Sequence, residues 1–316
     1  MSLLVRVAEV AFETPEVRTL RLVREDGANF TPYKAGAHID VTGPTGVLRQ
    51  YSLCSPPEDP SSLLIAVKRE PDSRGGSSAL HEVVEGDHLK IGKPRSLLAI
   101  AEDATEHVLV AGGIGVTPLL SIAYELWRRN APFTLHYFAH SREKMAFRQL
   151  LEERVEFAER VQLHSGVPRR ERMDLLTQAA SYLTRTAHVY TCGPAPFMDQ
   201  VASVFAPFIG EDHVHMEHFV ADAVDTSGDR PFTVEVDGEN YEVPAEKSIL
   251  EVLEENGIEV FKSCQEGICG SCVSGVLDGV PDHRDHCLSP TDKAANKEIA
   301  LCVSRAKSDK LAIELH

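Results

Sequence analysis

Four of the seven cysteines are spaced in a way that suits metal chemistry. Cys264, Cys269 and Cys272 are separated by four and two residues, and Cys302 follows after 29 more. Four thiolates that converge on two irons hold a [2Fe-2S] cluster, and this spacing is that of the plant-type loop. Two glycines inside the loop let backbone amides turn toward the sulfurs and temper their charge. The spacing predicts an iron–sulfur centre; zinc is the alternative, although zinc sites usually present cysteines in pairs.

The other three cysteines divide into two kinds. Cys54 and Cys287 are expected to be small apolar core residues. Cys192 ends the strand-like run HVYTC and precedes Gly193 and Pro194. That position is the carboxyl edge of a sheet, where open α/β folds bind ligands.

A glycine-rich turn predicts a phosphate site. The strand-like run HVLVA leads into Gly112, Gly113 and Gly115, and Thr117 as cap with Pro118 in the first turn would open a helix. Glycines let a phosphate approach the backbone, and the helix start supplies amides and partial positive charge. The turn lacks the GxGxxG pattern, and a turn that serves only packing is the alternative.

Two further groups of residues are candidates for binding a nucleotide or a planar ring. Ser141 and Arg142 follow the strand FTLHYFA and could contact an adenosine ribose or its phosphate; a solvated arginine is the alternative. Nearer the amino terminus, a cation, a ring and a hydroxyl lie on one strand, and a second cation with two glycines precedes a predicted helix. These residues are Arg49, Gln50, Tyr51 and Ser52, then Arg74, Gly75, Gly76 and Ser77.

The pattern of apolar residues divides the chain into three folding segments and a linker. Short alternating runs over 1–101 predict a small antiparallel barrel with one helix at SSALHEVVE. Strand-like and helical runs alternate over 102–219, with a helix expected at MAFRQLLEERVEF, and predict a parallel sheet flanked by helices. Residues 220–230 are short and polar, as in a linker. Residues 231–316 predict a small mixed α+β domain.

Composition limits the partners of the protein. The chain has 316 residues, and its 32 basic and 48 acidic residues give a net charge of −16. This charge argues against binding to nucleic acid or anionic lipid. No apolar stretch reaches the length of a membrane span, and the start does not read as a signal peptide, so we expect a cytoplasmic protein.

These motifs together resemble the reductase components of Rieske oxygenases, in the group of phthalate dioxygenase reductase and vanillate demethylase reductase. The resemblance runs through the whole chain. It is carried by RQYSLCSPP, RGGS, AGGIGVTP, TCGPAPFM, CQEGICGSC, PDHRDHCLS and LCVSRAKSDKLAIEL. It implies an antiparallel β-barrel flavin domain, an α/β NAD-binding domain and an α+β β-grasp [2Fe-2S] ferredoxin domain, in the order of the segments above.

The resemblance also implies roles for individual residues. Arg49 would bind the FMN phosphate, Tyr51 and Ser52 would contact the isoalloxazine and ribityl region, and Cys192 would lie beside the nicotinamide. Phe219, which closes HVHMEHF, matches the aromatic residue that packs by the flavin. Ser52, Cys192 and Phe219 are thus the expected catalytic group. The remaining expected cofactor contacts are Gln50, Ala66, Val67, Lys68, Arg74, Gly75, Gly76, Ser77, Gly112, Gly113, Gly115, Thr117, Pro118, Ser141, Arg142, Gly193 and Pro194, and the cluster ligands are the four cysteines.

The activity that the resemblance implies is electron transfer. NADH would reduce FMN, and FMN would reduce the [2Fe-2S] cluster, which passes electrons to a Rieske oxygenase acting on an aromatic acid or a quaternary amine. FMN is expected rather than FAD because no segment would bind an adenine half. NADH is preferred and NADPH stays open, and relatives suggest a monomer. The alternatives are the same electron chain serving another oxygenase type, or a non-enzymatic iron–sulfur carrier or sensor.

Overall fold

The protein folds as two compact units, and the boundary between them in the sequence lies between Glu217 and His218. The computed structural model describes residues 2–71, 75–221 and 224–315. Unit 1 is Met1–Glu217 and contains two sheets, whereas unit 2 is His218–His316 and contains a five-stranded sheet and a two-stranded ribbon. None of the helices in the described ranges is long and apolar enough to cross a membrane.

An antiparallel barrel forms the first part of unit 1, as predicted. The strand order is β4-β3-β6-β1-β2-β5, with β7 beside β3, and a bridge between Leu53 and Ile65 joins the two ends of this path. Inward-facing apolar side chains such as Val5, Leu20 and Ile39 are fully buried. The elements are β1 Leu3–Thr14, β2 Val17–Arg24, β3 Ala37–Thr42, β4 Leu48–Ser52, β5 Leu63–Lys68, α1 Gly76–Leu80, β6 His88–Ile91 and β7 Arg95–Ser96.

A parallel five-stranded sheet with helices, also predicted, forms the rest of unit 1. Its strands are β8 Glu106–Gly112, β9 Phe133–Ala139, β10 Val161–Ser165, β11 Ala187–Cys192 and β12 Val214–Glu217, and its helices are α2 Val116–Arg128, α3 Arg169–Ala180 and α4 Ala195–Ile209. The order β10-β9-β8-β11-β12 reverses direction at β8. Ligands of open α/β sheets bind at such a reversal, outside the carboxyl ends of the strands. In this sheet that place is where β8 and β11 end.

Two helix predictions in unit 1 need correction, and one helix of unit 1 was missed. The helix expected at SSALHEVVE already ends at Leu80, and the ring of the next residue, His81, lies 2.9 Å from the carbonyl oxygen of Val67. The helix expected at MAFRQLLEERVEF is only a wide turn, Leu150–Arg154, because Phe147 has a left-handed backbone (φ 58°). Helix α3 was not predicted, since it buries only Leu176 and Ala180 and so lacks a clear apolar stripe.

Unit 2 is a mixed α+β fold, as predicted. The sheet order is β14-β13-β19-β15-β17, in which β13 and β19 are parallel and the other pairs are antiparallel. Helix α5 begins with the capping box of Ser248 and Glu251. The elements are β13 Phe232–Val236, β14 Glu239–Val243, α5 Ile249–Glu255, β15 Val273–Asp278, β16 Pro281–Asp282, α6 Pro290–Ala295, β17 Glu298–Ala300, β18 Arg305–Ala306 and β19 Lys310–Glu314.

Candidate cofactor sites

The four spaced cysteines of unit 2 come together as two pairs. The backbone amide of Cys264 lies 3.4 Å from the sulfur of Cys269. A hydrogen bond with the Cys264 thiol lowers the pKa of Cys269, and a hydrogen bond with the Cys302 thiol lowers the pKa of Cys272. Cys302 thus reaches its partner although 29 residues separate the two in the sequence.

Backbone amides of the cysteine loop point at the sulfur atoms. The amide of Glu266 lies 3.3 Å from the sulfur of Cys264, and the hydroxyl of Ser271 lies 3.2 Å from the sulfur of Cys269. Amides aimed at sulfur stabilise thiolates, which is what a cluster requires of its surroundings.

The pairing suits two irons better than one metal ion. Within residues 2–71, 75–221 and 224–315, no three His, Cys, Asp or Glu side chains are grouped so that they could hold a single ion. In a [2Fe-2S] cluster each iron takes two protein ligands, so two thiol pairs are the arrangement that the chemistry needs.

The glycine turn after β8 lies directly against the end of β11. A Cβ atom on Gly115 would overlap the carbonyl oxygen of Cys192 and would lie 2.7 Å from the amide nitrogen of Gly193. A Cβ on Gly112 would lie 2.9 Å from the ring of Phe197. Gly113 instead has a left-handed backbone (φ 58°) and nothing within 4 Å of its Cβ position. Two of these glycines therefore permit close packing, and Gly113 borders open space.

The start of α2 differs from the prediction in one detail. The helix begins at Val116 and has Gly115 as its cap, so Thr117 lies inside the first turn, where its hydroxyl donates to the carbonyl of Ile114 at 2.9 Å. The prediction that Thr117 caps the helix was wrong, because the glycine turn winds directly into the helix. Pro118 is in the first turn as expected, and Pro194 is the cap of α4.

Ser141 and Arg142 lie just beyond the carboxyl end of β9, the neighbour of β8. The guanidinium of Arg142 donates to Glu152 at 2.6 Å, and its side chain is 55% exposed. A hydrogen bond from the Ser141 hydroxyl is the main cause that lowers the pKa of Glu143. Both residues are thus at the edge where a nucleotide would lie, and Arg142 is held by a surface ion pair.

Cys192 is completely buried at the end of β11. Its cross-strand neighbours are Ala111 on β8 and Glu217 on β12. Burial raises the pKa of the thiol well above its usual value, and the charge of Glu217 adds to the effect. Burial therefore favours the neutral thiol of Cys192 over the thiolate, which is the more reactive form.

In the barrel, the predicted flavin strand and the predicted phosphate turn are in contact. A Cβ on Gly76 would lie 2.9 Å from the Cγ atom of Arg49, so the arginine crosses the start of α1. The hydroxyl of Ser77 accepts a hydrogen bond from the amide of Glu70. Gly75 has a left-handed backbone (φ 96°), and Arg74 lies outside the described residues.

Neighbouring candidates on the barrel strands have mixed surroundings. Tyr51 is half-buried, and burial raises its pKa to about 12. The amide of Gln50 donates to the carboxylate of Asp40 at 3.0 Å, and Asp40 also accepts two hydrogen bonds from Arg95, so Gln50 belongs to a polar network. On β5, Ala66 and Val67 are buried, and Lys68 is ion-paired with Glu70.

A buried polar cluster beside Ser52 was not predicted from the sequence. Ser52 is paired across the strands with His38, and both side chains are at least 95% buried. His38 Nδ1 lies 3.4 Å from an oxygen of Glu217, itself 4% exposed. The Ser52 hydroxyl, both His38 ring nitrogens and Glu217 Oε2 have no hydrogen-bond partner. The one sequence feature that indicates Glu217 is its position as a charged residue at the end of an apolar strand. The sequence around His38 contains no feature that predicts its role.

Phe219 lies two residues beyond β12, at the beginning of unit 2. Its side chain is 37% exposed. Its expected packing against a flavin stays a prediction.

Comparison with known proteins identifies the family. Residues 232–307 match the 2Fe-2S iron-sulfur cluster binding domain. The chain is 39% identical, over 96% of its length and 95% of the relative's, to the vanillate O-demethylase oxidoreductase of Acinetobacter baylyi. The chain belongs to the vanillate O-demethylase oxidoreductase family. It is an oxidoreductase that serves as the reductase component of an oxygenase system.

Solved structures extend the likeness to the whole reductase. Phthalate dioxygenase reductase, described as a modular structure for electron transfer from pyridine nucleotides to [2Fe-2S], matches with a TM-score of 0.72 and 34% identity, covering 99% of this chain and 98% of that one. An intact type IV self-sufficient cytochrome P450 monooxygenase matches with a TM-score of 0.88 and 32% identity, covering 99% of this chain and 41% of the other. The flavin, pyridine-nucleotide and [2Fe-2S] character of the reductase follows from this family.

The residues of the reductase fit these cofactors. The buried Ser52 hydroxyl without a partner suits a polar atom of a flavin ring, because a buried polar group is normally hydrogen-bonded. Arg49 suits a flavin phosphate, since guanidinium binds phosphate, and the missing side chain at Gly76 lets the arginine lie against the start of α1. The two thiol pairs with inward-pointing amides suit the cluster.

Proposed function

We propose that this reductase takes electrons from NADH through FMN and its [2Fe-2S] cluster to a Rieske-type oxygenase that acts on an aromatic acid or a quaternary amine. One contact in unit 1 carries the proposal. His38, the cross-strand partner of Ser52, lies 3.4 Å from Glu217, the cross-strand partner of Cys192. This contact brings the candidate flavin strand next to the candidate nicotinamide edge. Hydride transfer requires such closeness between donor and acceptor rings.

The residues of unit 1 would bind and orient the two ligands. Arg49 would hold the flavin phosphate, while Tyr51 and Ser52 would fix the ring system. The amides at the start of α2 would bind the dinucleotide phosphates, and Cys192 would support the nicotinamide with an uncharged, apolar surface. A bound flavin supplies the conversion between a two-electron hydride donor and a one-electron cluster.

The finer parts of the proposal concern the choice of cofactor and the setting. FMN is favoured over FAD because no segment of the sequence would bind an adenine half. NADH is favoured by the family resemblance, although Ser141 and Arg142 could also meet a 2′-phosphate. Cys54, Cys192 and Cys287 carry free thiols, which suits the cytoplasm, where thiols stay reduced. We infer a monomer from the resemblance.

A haem oxygenase is a second candidate for the electron acceptor. The observation in its favour is the self-sufficient cytochrome P450 monooxygenase that contains a counterpart of the whole chain. The identity to vanillate O-demethylase oxidoreductase is higher, 39% against 32%, and favours the first candidate. Assays of electron delivery to each purified oxygenase type would separate the two.

The decisive experiment is an anaerobic NADH titration of the purified protein, followed by its visible spectrum, with the released flavin identified by mass. The proposal expects FMN, and partial bleaching of both flavin and cluster bands by one equivalent of NADH, because its two electrons are shared between the two cofactors. A protein coloured by iron and sulfide alone that ignores NADH would support a non-enzymatic carrier and would contradict the roles of Arg49, Tyr51 and Ser52. FAD in the released flavin would contradict the FMN assignment alone.

A further inference from the structure

Two side chains anchor the segment that leaves β12 to one short stretch of unit 2. The imidazole of His218, the first residue of the unit, stacks on that of His286 with 4.3 Å between ring centres and 23° between planes. Eleven residues later, the carboxylate of Asp229 accepts two hydrogen bonds from Arg284, at 3.0 and 2.5 Å. Both anchors therefore fall within Asp282–His286.

The second anchor is a buried charge network. The side chains of Asp229 and Arg284 are only 5% and 18% exposed. Arg284 also pairs with Asp282 at 2.8 Å, and Arg305 approaches Asp229 to 3.6 Å. Two cations around one carboxylate fix the end of the segment much more firmly than a surface ion pair would.

The stretch that receives both anchors also braces the predicted cluster loop. The amide of His286 donates to the carbonyl of Gly267, which lies between Cys264 and Cys269, at 2.8 Å. A Cβ on Gly267 would lie 3.2 Å from the Cα atom of Asp285, so the two backbones touch. The hydroxyl of Ser304, two residues after Cys302, donates to Asp285 at 3.1 Å.

We propose that His218 and Asp229 are positioning residues for electron transfer, because they fasten the chain leaving β12 to the stretch that supports the cluster loop. The proposal rests on the proposed function, in which a flavin bound by unit 1 reduces the cluster of unit 2. With both anchors closed, His218 and Asp229 are each held to unit 2, although the composition of the sequence between them reads as a linker. With both open, about eleven residues would span roughly 18 Å as a flexible chain.

The length of the tether matters because it sets how often the cluster meets the flavin from which it takes electrons. Freeing eleven residues would turn the step into a docking equilibrium whose effective concentration depends on tether length. Unit 2 is strongly acidic, so that equilibrium would also depend on salt. The step from NADH to the flavin depends on the candidate residues of unit 1 and on Phe219, and because the variants below replace none of these residues, that step should change little.

The test uses the full-length, cofactor-loaded protein and compares five variants with the wild type. His218→Ala removes one anchor, His218→Phe keeps an aromatic stack, and Asp229→Asn weakens the second anchor. The double variant of His218→Ala with Asp229→Asn opens both, and His88→Ala is a control at an exposed barrel histidine. Anaerobic stopped-flow mixing with NADH separates flavin bleaching from cluster bleaching. Hydrogen exchange of the peptides covering 224–230 and 282–288 reports the anchors without any turnover.

The proposal expects that His218→Ala combined with Asp229→Asn leaves flavin reduction within twofold, slows cluster reduction at least tenfold, and makes it salt-dependent. His218→Phe should keep most of the wild-type rate of cluster reduction, and His88→Ala should change neither rate. Unchanged cluster reduction in a protein whose two peptides exchange faster would overturn the proposal. Loss of iron, or a changed electron paramagnetic resonance spectrum of the reduced cluster, would overturn it in favour of a purely structural role. If NADH did not reduce the flavin of the wild-type protein, the proposed function would be wrong. Hydrogen exchange would still show whether the variants open the two anchors.

Discussion

At the scale of single residues, the closest packing in the nucleotide region depends on Gly115. A methyl group there would overlap the carbonyl oxygen of Cys192, and neither backbone can move without disturbing α2 or β11. Gly115→Ala should destabilise unit 1 by about 1–3 kcal/mol, as overpacking typically does. It should also raise KM for NADH, because the start of α2 would shift away from the dinucleotide.

Thermal unfolding and steady-state reduction of ferricyanide by NADH would measure these two effects. Gly228→Ala is the matched control, because nothing lies within 4 Å of its Cβ position and its backbone needs no glycine. An unchanged melting temperature and KM in Gly115→Ala would refute the interpretation of this turn.

A second residue-scale prediction distinguishes the cluster ligands from the other cysteines. Cys302→Ser should lose most of the bound iron, because one thiol pair would be broken and serine is a poor iron ligand at neutral pH. Cys287→Ser is the control, since the Cys287 thiol contacts Asp285 at 3.5 Å and a hydroxyl can do the same. Iron and sulfide analysis of both purified variants would measure the effect; equal iron content would contradict the ligand assignment.

At the scale of elements, local ligand spacing was predictable and long-range contacts were not. The cysteine loop, the glycine turn and the strands that lead into them are all visible in short windows of sequence. The wrong helix at 145–157 shows the limit: the amide of Phe147 donates to Glu13 of β1 at 2.8 Å, and this contact accompanies the left-handed backbone there. The contact of His38 with Glu217 joins residues 179 positions apart, so no local pattern could reveal it.

The parallel sheet carries several histidines that predict sensitivity to acid. Burial lowers the pKa of His107, His136 and His215 to about 4, and also lowers that of His164 and His188. Well above pH 6.5 these histidines are neutral in both the folded and the unfolded chain, so they do not lower the free energy of unfolding. Below pH 6.5 the unfolded chain binds protons that the folded sheet does not, and stability should fall until about pH 4.

The contribution of one histidine to this pH-dependent loss of stability can be measured separately. His136→Phe keeps a ring beside His164 and removes one titrating group. It should reduce the fall in unfolding free energy by up to about 1.4 kcal/mol per pH unit between pH 6.5 and 4. Gln162→Ala, at an exposed residue of the same sheet that carries no titrating group, should leave the slope unchanged. Denaturant unfolding of unit 1 at several pH values would measure both, and identical slopes in wild type and His136→Phe would disprove the assignment.

At the scale of the whole molecule, charge is distributed unevenly along the chain. Residues 231–316 contain 17 acidic and eight basic residues, which gives −9 of the total −16 in about a quarter of the sequence. An acidic electron donor is drawn to a complementary basic patch on its acceptor, and salt screens that attraction over about 8–10 Å. The association rate with the oxygenase should therefore fall as ionic strength rises.

The measurement is the second-order rate of oxygenase reduction between about 10 and 300 mM NaCl, taken beside the rate of flavin reduction by NADH in the same samples. Glu259→Gln, at an exposed residue five positions before Cys264, should lower the rate at low salt and flatten its salt dependence. Glu153→Gln, at an exposed residue of unit 1, should change neither. A rate that is indifferent to salt in the wild type would mean that the acidic residues serve solvation alone. Because screening acts on encounter and not on packing, a salt effect on oxygenase reduction without one on flavin reduction assigns the charge of unit 2 to partner binding.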